Sequence, residues 1–89
     1  MARIVLTQQL QRFTHVPEVE AVAATLGEAL EASFAANPQL RAYVLDEQGH
    51  LRKHVAVFID GQMIRNRQDL SHPLTPSSEV YVLQALSGG

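Results

Sequence analysis

The residues with the clearest chemical consequence come at the end of the chain, at Gly88-Gly89. At an ordinary glycine usage of about 7%, two glycines fall at a given pair of sites by chance roughly 0.5% of the time, so the pair calls for a reason. Two residues without a Cβ can thread a slot too narrow for any side chain. They also leave an unhindered primary carboxylate, that of Gly89, at the tip. From Leu86 to Gly89 the chain reaches on the order of 13 Å when extended, enough to carry that carboxylate into another protein's active site while the domain stays outside. Taken alone, Ser87-Gly88-Gly89 reads equally well as a linker or a frayed end. The run Val80-Tyr81-Val82-Leu83-Gln84-Ala85-Leu86 leads straight into it, however, so the tail is expected to project from a strand with no linker between.

The other chemistry-bearing side chains form weaker patterns. His50 and His54 are four apart, and on a strand that spacing separates their Cα atoms by roughly 13 Å, too far to share one ion. His15 and His72 fall in expected loops, so the four histidines read as solvated and no metal site is assigned. There is no cysteine, which excludes a disulfide framework, a thiolate zinc site and a thiol nucleophile. A Ser/His/Asp triad has no support beyond the presence of those residue types, and no phosphate-cradling Gly-rich loop is visible. No catalytic residue is assigned. Arg52, Lys53, Arg65 and Arg67 make a modest basic set that suits either an acidic partner surface or a solvated edge.

The elements that must position the tail belong to a small chain. Eighty-nine residues at 46% hydrophobic and 18% charged describe one globular domain with a real core, and exclude a two-lobed enzyme. A formal charge of -2 with seven Lys+Arg lacks the electrostatic footprint of a nucleic-acid binder. The apolar stretch Ile4-Val5-Leu6 is too short for a signal peptide and no run approaches a membrane span, so the expected location is the cytoplasm.

Arg3 to Leu6 reads as a first strand, with Ile4 and Leu6 on one face and Arg3 and Val5 on the other. Gln8 to Thr14, with Val16-Pro17, reads as a hairpin loop to a second strand near Glu18 to Ala23. There Glu18 and Glu20 face out, and Val19 with Ala21 or Val22 face in. Thr25-Leu26-Gly27-Glu28 has the form of a capping box, in which the threonine hydroxyl accepts from the third helical N–H and the glutamate returns to the cap N–H. The helix it opens buries Leu26, Ala29, Leu30, Ser33 and Phe34 on one face, and Asn37-Pro38 ends it. Ala42 to Leu45 reads as a third strand, turned by Asp46-Glu47-Gln48-Gly49 into an antiparallel strand over Leu51 to Asp60. On that strand Val55, Val57 and Ile59 oppose His54, Ala56 and Phe58. Asp60-Gly61 signals a tight hairpin to a short strand at Gln62 to Ile64. A loop over Asn66 to Ser78 and a last strand over Glu79 to Leu86 complete an α+β roll with one main helix on one face of one sheet.

If Val55, Val57, Ile59, Val80 and Val82 point at the helix, then Ala56, Phe58, Tyr81 and Leu83 point away from it. That face would meet water on a lone sheet. With Leu86 it would form a partner-binding surface beside the tail; the alternative is a scatter of exposed apolar residues.

At this point the chain resembles the ubiquitin-like β-grasp sulfur carriers of the MoaD/ThiS type, which include the molybdopterin synthase small subunit and the thiazole-synthesis carrier. The resemblance covers nearly the whole chain. It rests on the order of elements, on His54-Val55-Ala56-Val57-Phe58-Ile59-Asp60-Gly61, on Asp69-Leu70 through Pro73-Leu74, and on Glu79-Val80 leading to Gly88-Gly89. Leu51-Arg52-Lys53-His54-Val55 looks most like the carriers that serve cysteine, related amino-acid or siderophore synthesis. Gln84-Ala85 stands where the molybdopterin subunit often has a proline pair.

The resemblance implies a ubiquitin-like β-grasp with a mixed sheet of four to five strands, residues 1–86 as the domain and 87–89 as a flexible diglycine tail. It implies that Gly89 is adenylated and then carries sulfur as a thiocarboxylate, with Gly88 and Ser87 threading the partner's slot. The implied partners are an E1-like activating enzyme of MoeB or ThiF type, which uses Mg-ATP, a sulfur-accepting synthase, and a metalloprotease that trims the C-terminus. The chain itself would hold no cofactor and catalyse nothing. Two other classes stay open: a ubiquitin-like modifier joined through Gly89 to lysines of target proteins, and an interaction subunit whose tail is idle.

Overall fold

The computed structural model describes residues 1–6, 18–64 and 70–84. Strand β1 (Ala2–Leu6) alternates buried and half-buried residues, as a strand with one covered face must. It pairs antiparallel with β2 (Glu18–Ala21), Ile4 opposite Val19 and Val5 opposite Glu18. Glu18 and Glu20 are exposed as expected. Val22 lies beyond the strand and is 87% exposed, which settles the inward residue in favour of Ala21. The expected hairpin loop over Gln8 to Pro17 lies outside the described residues.

Helix α1 (Leu26–Ala36) buries Leu26, Ala29, Leu30, Ser33 and Phe34, the face read from helical spacing. Thr25 is its N-cap: the Thr25 hydroxyl accepts from the Glu28 N–H at 3.2 Å. The Glu28 carboxylate returns to the Ala24 N–H, one residue earlier than a strict capping box has it, at 2.8 Å. The first turn is held further by the segment at 70–74. The Leu26 N–H donates to the His72 carbonyl and the Gly27 N–H to the Leu70 carbonyl at 2.7 Å, while the Leu74 N–H donates to Ala24. A Cβ on Gly27 would lie 3.2 Å from the Leu70 oxygen, so any larger residue would have to push this segment back by a few tenths of an ångström. Asn37 ends the helix and sends its own N–H to the Ser33 carbonyl.

The expected third strand is not there. Leu40–Val44 is a short helix, α2, with Leu40 and Val44 buried on one side and Arg41 and Ala42 exposed. A short apolar run with an aromatic and a β-branched residue fits either state by composition, and Leu40 and Val44 would share a face in both; the exposure of Ala42, which a strand would place on that same face, is what the helix adds. What remains of the antiparallel pair is a single bridge, Leu45 to Leu51, around the turn. In that turn Gly49 takes φ +82° and the Asp46 carboxylate accepts from the Gln48 and His50 N–H groups.

Strand β3 (Val55–Ile59) is therefore shorter than the expected Leu51 to Asp60. Asp60 and Gly61 both have positive φ, 51° and 86°, as a two-residue hairpin turn requires. They join β3 to β4 (Gln62–Met63), which stops one residue short of the expected Ile64. The last described strand, β5 (Glu79–Gln84), pairs parallel with β1 and antiparallel with β3, giving the order β2-β1-β5-β3-β4. Ile4, Leu6, Val55, Val57, Ile59, Val80 and Val82 form one core with the buried face of α1. The sheet is mixed, five-stranded and covered on one face by one main helix, as expected.

Candidate functional site

Two site components were expected, the tail and the outer face of the sheet. Leu86, Ser87, Gly88 and Gly89 lie outside the described residues. The outer face is described. Register sets Ala56 opposite Leu83 and Phe58 opposite Tyr81. Because Val55, Val57, Ile59, Val80 and Val82 belong to the helix-covered core, the alternate positions turn the other way. The four residues thus share one face. Phe58, Tyr81 and Leu83 are half-buried, while Ala56 is only 6% exposed, its small side chain shielded among its neighbours.

The structure extends that face beyond the sequence reading. Val5 lies beside Tyr81 through the parallel pairing of β1 and β5, and Met63, 56% exposed, lies opposite Phe58 on β4. Both were legible in principle. Val5 alternates against Ile4 and Leu6, and a two-residue turn at 60–61 makes 58 and 63 partners. An apolar band Val5, Tyr81, Phe58, Met63 thus crosses four strands.

One end of this face is polar. The Arg3 guanidinium donates to the Tyr81 hydroxyl at 3.3 Å and pairs with Glu18 at 3.3 Å and Glu79 at 3.4 Å. The Tyr81 hydrogen bond and then the Glu18 carboxylate raise the Arg3 pKa further, so the group is a permanent cation. Its effect is to hold the Tyr81 ring and the margins of β2 and β5 in register. Sequence reading placed Arg3 on this face but not its partners, because the pairing of β1 with β5 joins residues far apart in the chain.

Among the described residues, no group of three or more His, Cys, Asp or Glu could hold a metal ion. The strand-spacing argument for His50 and His54 does not apply, since both precede β3. His54 Nε2 lies 3.1 Å from the Tyr43 carbonyl, which can only accept, so Nε2 carries a proton; the ring also stands edge-on to Tyr43. Arg52 donates to the Ala42 carbonyl, and Lys53 is exposed. Arg65 and Arg67 lie outside the described residues. No helix among the described residues is long and apolar enough to cross a membrane.

Comparison with solved structures finds the same fold at nearly full length. The small archaeal modifier protein SAMP1 of Haloferax volcanii superposes with a TM-score of 0.82 at 25% identity, covering 99% of this chain and 98% of that one. A chain of the Amycolatopsis orientalis BexX/CysO complex superposes at 0.83 with 20% identity and full coverage of both chains. CysO of Mycobacterium tuberculosis gives 0.81 at 19% identity, covering 97% of this chain and all of that one. No curated protein sequence matches the chain. The sequence profile of the ThiS family matches residues 4–89. With the β-grasp arrangement of sheet and helix, that match over almost the whole length makes the chain a member of the ThiS family of ubiquitin-like β-grasp sulfur carriers.

Proposed function

We propose that the chain is a sulfur-carrier protein, a cosubstrate whose reacting group is the Gly89 carboxylate. In this reading residues 1–86 form the docking domain and 87–89 the flexible tail that enters the partner. An E1-like activating enzyme of MoeB or ThiF type supplies Mg-ATP. A Gly89 carboxylate oxygen attacks the α-phosphorus, pyrophosphate leaves, and an acyl adenylate results. Hydrosulfide delivered by a sulfur donor then adds to the acyl carbon, AMP leaves with the C–O electron pair, and a thiocarboxylate remains. Being a softer and stronger nucleophile than the carboxylate, it passes sulfur to a small-molecule acceptor held by a synthase. A cysteine-type amino acid, a siderophore or a cofactor is the product class. The chain contributes no catalytic group, metal or cofactor, and the cytoplasm, where ATP is available, is the compartment that suits the cycle. A trimming metalloprotease has a place in it only where residues beyond Gly89 must be removed.

The observation that carries this reading is the position of β5. It is the central strand of five, paired on both sides, and the sequence runs from it to Gly88-Gly89 within five residues. The same strand offers Tyr81 and Leu83 beside Phe58 and Ala56. A partner gripping that face, with Leu86 at its margin, would receive the tail from a fixed origin, with Ser87 and Gly88 in the slot. Such positioning matters because about 1 Å of misplacement can cost a hundredfold in rate.

The test is intact-mass measurement of the sulfur-for-oxygen exchange after incubation with the activating enzyme, ATP and a sulfur source. Deleting Gly89 or making Gly88→Val should abolish charging while leaving the unfolding midpoint unchanged. A truncated chain that still charges normally would remove this reading. The likeness to SAMP1, named a modifier protein, supports a second one, conjugation of Gly89 to lysines. High-mass conjugates rather than thiocarboxylate on protein isolated from cells would favour it.

A further inference from the structure

The outer face of the sheet gathers its charge into one row. Register sets Glu20 on β2, Arg3 on β1 and Glu79 on β5 side by side. Where β3 ends, the Asp60 carboxylate accepts from the Glu79 N–H at 2.9 Å and carries the row one strand further. The next row along the strands is the apolar band of Val5, Tyr81, Phe58 and Met63, with Glu18 at its β2 end. Two residues along a strand separate the rows, roughly 7 Å, so a protein surface that covers the band also meets the acids. Glu18, Glu20, Asp60 and Glu79 are all exposed. Among the described residues of this face Arg3 is the one opposing charge, and it is engaged by Glu18 and Glu79, while Glu20 and Asp60 have no ion pair. Four carboxylates to one guanidinium leave three uncompensated negative charges at this margin, more than the -2 of the whole chain. The negative charge of the chain is thus concentrated here, whereas Arg52 and Lys53 enter β3 at its other end.

We propose that the protein surface covering this face carries arginine or lysine side chains against Glu20, Glu79 and Asp60 beside an apolar patch against the band. The inference rests on the docking of an activating enzyme proposed above, and it adds what that enzyme's surface presents and which way round it lies. Apolar contact is non-directional, so the band by itself fixes no orientation. A charged row along one side of the band does, because turning the partner end for end takes its cations away from the acids. Charges at the rim act chiefly on encounter: they raise the association rate and suppress partners of the wrong sign. Their reach is about one Debye length, roughly 8 Å at physiological ionic strength. An acidic protein or a nucleic acid meets repulsion at the same place.

The test is stopped-flow association of the full chain, from low to high salt, with a MoeB- or ThiF-type enzyme that releases pyrophosphate in its presence. The wild-type association rate should fall about tenfold or more across that range. Glu20→Lys should lower the rate at low salt by about fivefold or more with little change in dissociation, and the gap should close at high salt. Glu47→Lys makes the same change in net charge at an exposed residue of the turn after α2, and should shift the rate by less than about twofold. Glu20 is exposed on an edge strand, where lysine is well tolerated. Unfolding midpoints check that both variants fold, and Glu20→Gln, expected to act in the same direction at smaller size, serves where the reversal does not. A salt-independent association rate, equal effects of Glu20→Lys and Glu47→Lys, or a chain found by sedimentation to pair with itself through this face would each overturn the proposal. Failure of every such enzyme to release pyrophosphate with the wild-type chain would remove the carrier reading, whereas activation with salt-independent association removes only the basic partner surface.

Discussion

Ser33 sits fully buried in the middle of α1, its hydroxyl without a hydrogen-bond partner among the described residues. A buried, unsatisfied hydroxyl costs on the order of 1–3 kcal/mol, and serine is also a poorer helix former than alanine. Ser33→Ala should therefore raise stability by about 1 kcal/mol, measured as a shift in denaturant midpoint with unchanged slope. Asp46 behaves in the opposite sense. The His50 N–H, then the Gln48 N–H, hold its carboxylate below its ordinary pKa, aided by the charges of His50 and Arg52 against some desolvation. With the folded value below the unfolded one, its contribution is complete above the unfolded pKa and is lost as pH falls through the folded value. Asp46→Asn keeps an acceptor oxygen but cannot titrate. Its unfolding midpoint should lie below the wild type's near neutrality, and the gap should close as pH falls through the acid side of the ordinary carboxylate range, where the wild-type carboxylate is protonated.

At the scale of elements, strand alternation separates two sets of side chains with different duties. Val57, in the core, should cost roughly 2–3 kcal/mol of stability when cut to alanine. Phe58→Ala, Tyr81→Ala and Leu83→Ala should instead weaken binding to the activating enzyme more than they weaken folding. A well-buried apolar side chain contributes roughly 1.5–3 kcal/mol when a partner covers it. Unfolding midpoints beside partner affinities for all four variants would check this, and equal destabilisation by all four would mean the outer face has no docking role. The period-two pattern of β1, β3 and β5, and the capping and spacing of α1, were readable because each repeats a local rule several times. Residues 40–45 were not, since five or six residues hold too few repeats to separate a helix from a strand. The salt-linked margin of Arg3, Glu18 and Glu79 escaped for another reason: hairpin signals report neighbours along the chain, whereas nothing local reports that β1 pairs with β5.

The whole molecule depends on the pairing of its first and last described strands. β1 has β2 on one side and β5 on the other, and β3 meets β1 only through β5. Removing residues 79–89 should therefore abolish cooperative thermal unfolding by circular dichroism, since β1 and β3 lose their common partner and the core valines Val80 and Val82 go with it. Removing only Gly88-Gly89 should leave the transition in place. The diglycine itself was visible in the sequence, and so was the run that leads into it. The central place of β5 was not, because centrality is a property of topology.

The parallel pairing of β1 with β5 also sets a timetable for synthesis. Chains are made from the N-terminus, yet β1 and β3 wait for a partner, β5, that is translated after both. A nascent chain can form α1 and the β3–β4 hairpin as it leaves the ribosome, but it cannot close its sheet until Gln84 has emerged. A chain abandoned before that point has neither a closed sheet nor a glycine tail. Closure of the sheet is thus tied to the arrival of β5, and a chain stopped short of it is left open to proteolysis.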